Sequence, residues 1–183
     1  MKKVLLVFLA SAIASFGMAQ TFQQGNKIGQ VGIGFGSPFF ANGSKMGVPP
    51  VHIAGEFGFS DKIGIGGLIG FTSSKIEETF GFGFGDYSWK YSYLIVGARG
   101  SYHFYQTDKI DAYGGVMLGA NIASVKFESD DPTLEQFVTE PKAGGVAFGF
   151  YGGARYYFNE KTALFAEVGY NIAWLSAGLA FKL

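Results

Sequence analysis

Between Tyr91 and Phe127, apolar and polar positions alternate with a period of two along two long runs. In the first, Leu94, Val96, Ala98, Gly100, Tyr102 and Phe104 share one face, while Arg99, Ser101 and His103 stand on the other. After Gln106-Thr107-Asp108-Lys109, the second run sets Ala112, Gly114, Val116, Leu118, Ala120 and Ile122 against Asp111, Tyr113, Gly115, Met117, Gly119 and Asn121. Strand side chains point alternately to two faces, so the pattern predicts a hairpin with one apolar face and one small, polar or charged face.

The alternation recurs on both sides of this hairpin. Val31, Ile33 and Phe35 oppose Gln30, Gly32 and Gly34; Val51, Ile53, Phe57 and Phe59 oppose His52, Ala54, Glu56 and Gly58; Ile63, Ile65, Ile69 and Phe71 oppose Gly64, Gly66, Leu68 and Gly70. Three further runs lie within Gly144 to Phe158, Thr162 to Tyr170 and Leu175 to Leu183, making eight strands. Ser37 to Pro50, Thr72 to Asp86 and Ser124 to Lys142 read as long connections, whereas Ser60-Asp61-Lys62, the turn at Thr107-Asp108 and Asn159-Glu160-Lys161 are tight. Asn171 to Trp174 is brief. Long loops thus fall on one side, and turns and both termini on the other. This is the layout of an all-β, eight-stranded antiparallel up-and-down transmembrane β-barrel with periplasmic turns.

Composition decides which face meets which solvent. Charged residues are 15% of the chain, aromatics 17%, and glycine numbers 29; soluble domains usually carry about 25% charge. In a soluble barrel of the lipocalin type the apolar face would be the interior and the mixed face would meet water. Here the mixed faces are mostly Gly, Ala and Ser with about one charge per strand, which suits a crowded lumen better than a water-facing surface. Tyr102, Phe104, Tyr156 and Phe158 lie near the turn ends of the apolar faces, where an interfacial aromatic girdle belongs.

Met1-Lys2-Lys3, the apolar stretch Val4 to Ala10 and the small-residue ending Gly17-Met18-Ala19 have the three regions of a secretory signal peptide. Cleavage is expected after Ala19, leaving residues 20–183 as the barrel domain. No later run is long and apolar enough for a helical span, so a membrane protein of this sequence crosses as a barrel. The formal net charge is zero, and −2 once Lys2 and Lys3 leave, with 12 basic against 14 acidic side chains. Nothing in it points to nucleic acid. The chain has no cysteine, which removes disulfides and thiolate chemistry.

Gly97-Ala98-Arg99 with Tyr102-His103-Phe104, Tyr113-Gly114-Gly115 to Gly119, Gly153-Ala154-Arg155-Tyr156-Tyr157-Phe158 and Gly178-Leu179-Ala180-Phe181 carry a family resemblance. Across essentially the mature chain they resemble the small outer-membrane beta-barrel domain family, the OmpA/OmpX-like eight-stranded barrels of Bacteroidetes type. The resemblance implies fold and location in a Gram-negative outer membrane, and says little of activity. Such barrels usually finish on an aromatic residue read by the assembly machinery; here Phe181 lies two residues before Leu183. The wall-binding domain of full-length OmpA is not expected. The expected partners are outer-membrane lipid and lipopolysaccharide, the barrel assembly machinery, and an extracellular protein or surface ligand on the loops; the barrel is expected to be a monomer.

Strand parity sends Glu56, Arg99, Arg155 and Glu167 into the lumen, two acids and two bases. An eight-stranded lumen is about filled by side chains, so these charges must pair or be hydrated there. One reading is a salt-bridged plug; the other is a gate whose partners switch to open a narrow path for ions or small solutes. A lipid-modifying enzyme would need a His, a Ser and an acid together near the outer rim. His103 falls near a turn, and His52 faces inward without recognisable partners in sequence, so no catalytic residue, cofactor or metal is assigned. The glycines from Gly32 to Gly36 and Gly81 to Gly85 lack the strand-turn-helix context of a phosphate loop. Phe80, Phe82, Phe84 and Trp89 form a candidate binding surface. Either the third to sixth strands continue above the bilayer as an aromatic sheet with a pairing edge, or this is a Gly-rich loop with aromatics at the membrane rim.

Overall fold

The computed structural model describes residues 21–79, 86–129 and 142–183; the expected signal peptide lies outside these residues. The elements are β1 (Lys27–Phe35), β2 (Lys45–Met46), β3 (Val51–Gly58), β4 (Ile63–Thr79), β5 (Asp86–Gln106), β6 (Ile110–Ser129), β7 (Lys142–Tyr157), β8 (Thr162–Tyr170) and β9 (Leu175–Lys182). Successive long strands pair antiparallel, and β9 returns to β1 from Ile28↔Lys182 to Phe35↔Leu175. The eight long strands therefore close into a barrel, and the two-residue β2 is appended to β4 beyond the end of β3. Closure removes the unpaired edge that hydrocarbon cannot satisfy.

The alternation read from the sequence sorts the side chains as expected. Val31, Ile53, Ile65, Val96, Leu164 and Leu179 point outward and are exposed, and Val116 and Leu118 reach 65% and 64%. Such a belt exceeds the apolar patches of a few hundred Å² that soluble monomers tolerate. Arg99, Asp111, Arg155 and Glu167 are buried inside. Apolar outside and charged inside is the reverse of a soluble barrel, so the belt faces lipid.

One irregularity adjusts the turn end. The β5–β6 register shifts between His103 and Tyr105. A bulge of this kind breaks the strict alternation, so Phe104 and Tyr105 both face out, at 62% and 55% exposure. Gln106 then turns back, and its Oε1 accepts from the Phe22 amide at 3.3 Å.

Two connections expected to be long are shorter, because the strands run on. Thr72 to Thr79 belongs to β4 and pairs with Asp86 to Tyr93 of β5, while Ser124 to Ser129 continues β6. Here the sense of the alternation inverts, with Trp89, Val125 and Phe127 on the inner face and Lys75, Lys90 and Lys126 on the outer, so the apolar pattern of the belt ends while the hydrogen-bond ladder continues. Strands β4 to β7 have 17, 21, 20 and 16 residues, against nine, eight, nine and eight for β1, β3, β8 and β9. About 9–11 residues suffice to span a bilayer, so one wall continues beyond the lipid-facing belt as a sheet.

Candidate functional site

The charged lumen is built by parity on six strands: β1 supplies Gln30, β3 Glu56, β5 Arg99 and His103, β6 Asp111 and Tyr113, and β7 and β8 supply Arg155 and Glu167. Arg155, 1% exposed, is the hub of the first cluster. Its Nη1 donates to Asp111 Oδ2 at 2.9 Å, and its Nη2 donates to Gln30 Oε1 at 3.3 Å and to Glu56 Oε2. The guanidinium also lies over the Tyr113 ring, 4.3 Å from its centroid. His103 sits between the two acids, Nδ1 2.6 Å from Asp111 and Nε2 3.3 Å from Glu56. An imidazole donates through both nitrogens only when protonated; in that state Arg155 and His103 are two cations set against the two carboxylates of this cluster.

The second cluster centres on Arg99. Its Nη2 donates to Glu167 Oε1 at 2.8 Å, and the guanidinium stacks 3.9 Å from the Tyr151 centroid. Tyr151 donates to the Gly100 carbonyl at 3.3 Å, leaving Ser101 Oγ to donate to Tyr151 across 2.9 Å. Tyr113 joins the clusters: its hydroxyl donates to Glu167 at 2.8 Å and accepts from Gln30 Nε2 at 3.3 Å. The four expected charges thus lie in two groups, Arg155 with Glu56 and Arg99 with Glu167. The balance of two acids and two bases is corrected by Asp111, a third acid, and by His103. Asp111 was legible at the lumen parity of β6; nothing in the sequence paired it with Arg155.

Removing one partner of a buried ion pair strands the other charge, whereas replacing both with apolar residues is often neutral. Arg99→Met is therefore expected to destabilise the barrel by about 3 kcal/mol or more, and Arg99→Met with Glu167→Met by less. Urea unfolding in detergent micelles checks the order, and equal losses in the single and double variants would refute the coupling.

The ionic layer is closed at both ends. At the turn end the segment before β1 folds into the mouth, where Phe22, fully buried, stacks on His103 with centroids 3.6 Å apart and rings 7° from parallel. Thr21 Oγ1 donates to the Ile110 carbonyl at 3.0 Å, and the Gly25 amide donates to Gly58 at 2.8 Å, holding the segment across the opening. At the loop end Gly36, at φ 64°, takes the left-handed conformation that favours glycine. It turns the chain inward so that the Ser37 hydroxyl donates to the Ile172 carbonyl at 2.8 Å. Ile172 and Ala173 then pack into the upper lumen with Ala54, Leu68, Ile95, Met117 and Ala147. Between Gln30, Glu56, Arg99, Ser101 and Arg155 a void of about 10 Å³ remains, about the room of one water.

His52 is buried edge-on to Phe165, with centroids 6.0 Å apart, and neither ring nitrogen has a hydrogen-bond partner among the described residues. Both nitrogens of His103 face carboxylates. Of the expected surface aromatics, Phe80, Phe82 and Phe84 lie outside the described residues. Trp89 stands half-buried on the inner face of the extended sheet, its ring 5.0 Å from Phe127, which also meets Tyr87 at 5.9 Å.

Similarity to known proteins agrees with this architecture. The family described as "Outer membrane protein beta-barrel domain" matches residues 4–179. No curated protein sequence matches the chain. Among solved structures, the outer membrane protein OprG from Pseudomonas aeruginosa superposes with a TM-score of 0.56 at 14% identity, covering 88% of this chain and 97% of that one. The N-terminal beta-barrel domain of Pseudomonas aeruginosa OprF gives 0.52 at 13% identity, covering 88% and 99%. At these identities the structures share the fold alone, while the family match spans nearly the whole sequence. The chain belongs to the outer membrane protein beta-barrel domain family and is an outer-membrane barrel.

Proposed function

We propose that this barrel is a non-enzymatic, non-conducting outer-membrane protein, whose lumen is a salt-bridged plug and whose working surface is the sheet raised by β4 to β7. The observation that carries this reading is the filled axis: Phe22 on His103 at the turn end, the two ionic clusters with a void of about 10 Å³ between them, and Ile172 at the loop end. Moving an ion along this path would require dissolving buried ion pairs, whose separation is costly. Neither histidine meets a serine and an acid in the arrangement acyl chemistry requires. The barrel then serves membrane integrity and holds the sheet, with its aromatic inner face at Trp89 and Phe127, where it can contact surface ligands or an adhesion partner. It works as a monomer in outer-membrane lipid and lipopolysaccharide, placed there by the barrel assembly machinery.

Refolded protein that migrates as a heat-modifiable band is expected to give no conductance steps in a planar bilayer. Reproducible steps that change in Glu56→Gln or Arg99→Met would overturn the plug and make the ionic layer the gate of a narrow channel.

A further inference from the structure

On the outer face of the extended sheet, residues directly across from one another fall in rows. Phe71, Leu94 and Ile122 form the last apolar row, Ser73, Ser92 and Ser124 the next, and Lys75, Lys90 and Lys126 the third. Lys45 of β2 stands opposite Lys75 and carries the third row onto a fourth strand. Directly opposed residues point to the same face, so four ammonium groups lie side by side; Lys45, Lys90 and Lys126 are exposed and Lys75 is half-buried.

Like charges placed opposite each other destabilise a sheet, so the row calls for a compensating partner. Glu77, two residues beyond Lys75, supplies part of one: it is ion-paired with Lys45 and lies 3.6 Å from the Lys75 ammonium. Its hydrogen bond from Lys45 and that residue's charge hold the Glu77 carboxyl below the usual range. Glu128 occupies the same face two residues beyond Lys126. In this row, among the residues whose side chains are described, four cations face two carboxylates, and Lys90 and Lys126 make no ion pair. Lysine on a sheet edge guards against strand pairing, which accounts for Lys45. It does not account for Lys90, because β5 is flanked by β4 and β6.

Height identifies the partner. From Phe104 to Leu94, β5 advances about 34 Å, or about 25 Å along the barrel axis at the usual tilt, the thickness of an outer-membrane belt. Lys90 lies four residues on, roughly 10 Å higher, where lysine stems can lower their ammonium groups into the headgroup region. We propose that Lys75, Lys90 and Lys126, together with Lys45, form a binding site for phosphate groups carried by lipids of the outer leaflet in which the barrel stands. The site lies on the lipid-facing side, on the same strands as the belt and two rows above it, so a lipid already packed against Leu94 and Ile122 has its headgroup beneath the lysines. The proposal requires the membrane seat of the barrel and is independent of whether the lumen conducts.

The test uses the full chain in phosphatidylcholine nanodiscs containing either bisphosphorylated or dephosphorylated lipid A. Native mass spectrometry after transfer to neutral detergent counts the retained lipid A. The wild type is expected to retain bisphosphorylated lipid A roughly tenfold better than K90Q/K126Q, with the difference shrinking as salt rises and vanishing for the dephosphorylated lipid. K90R/K126R is expected to retain it like the wild type, which separates lost charge from a folding defect. Equal retention by K90Q/K126Q would overturn the site, as would an equal loss in K62Q/K161Q at the turns, which would make bulk charge the cause. Inorganic polyphosphate binding the detergent-solubilised barrel as tightly as the lipid does would also overturn it, in favour of a soluble polyanion.

Discussion

Replacing Arg155 with methionine is expected to lower the unfolding free energy in detergent by about 3–5 kcal/mol, the usual cost of stripping one partner from a buried ionic cluster. Methionine fills much of the volume of the arginine stem, so the loss would come from charge rather than from a cavity. Asp111, fully buried, loses the 2.9 Å bond from Nη1, and Glu56 loses its bond from Nη2. His103 remains as the single cation between two carboxylates. Gln30 Oε1 and the face of the Tyr113 ring lose the guanidinium as well, so the damage reaches the Tyr113 bridge to Glu167. Arg155→Lys should recover only part of the loss, because a single ammonium cannot reproduce the fork that reaches Asp111 and Glu56 at once. Urea titration in micelles, read by the heat-modifiable band, checks both variants against Lys161→Gln in an exposed turn, which should stay within about 0.5 kcal/mol. A loss no greater than that of the turn variant would mean that the ionic layer does not hold the barrel together.

What could be read from the chain and what could not divide along a physical line. A strand has a period of two, so the burial of Arg99, Arg155, Glu56 and Glu167 followed from counting along one strand at a time. Their pairing did not follow, because Arg99 on β5 and Glu167 on β8 are not on neighbouring strands. They meet across the lumen, at heights set by strand tilt and stagger rather than by local sequence. Asp111 and Tyr113 were visible at the same parity, yet their importance appears only when the Arg155 guanidinium reaches between them. Phe22 and Ile172 gave no signal at all: each is one apolar residue in a short irregular segment, with no periodicity to mark it as buried. The long reach of β4 and β5 was half visible. From Thr72 to Glu77 the outer face is Ser73, Lys75 and Glu77 and the inner face is polar but for Ile76, so the apolar pattern of the belt stops at the membrane edge while the backbone ladder continues.

Gly178→Val is expected to prevent the barrel from closing, whereas Gly100→Val should fold normally. Gly178 of β9 lies opposite Gly32 of β1, at the seam where the last strand meets the first. A Cβ on Gly178 would collide with the Val31 carbonyl oxygen and lie 2.7 Å from the Gly32 Cα, backbone atoms of the partner strand that cannot rotate away. Phe165 of β8 also covers the pair, its ring 2.8 Å from that Cβ and 2.7 Å from one built on Gly32. The phenyl ring thus occupies the room that the two missing side chains leave, and overpacking a filled interior forces backbone shifts. At this seam a shift opens the β1–β9 ladder and exposes unpaired amides and carbonyls to hydrocarbon, each at a cost of several kcal/mol. Gly100 faces outward, and a Cβ there meets nothing within 4 Å; valine at that site adds β-propensity and lipid contact. Refolding yield, read as the heat-modifiable fraction, should collapse for Gly178→Val and hold for Gly100→Val. Equal yields would show that the seam tolerates side chains and that closure does not depend on the glycine pair beneath Phe165.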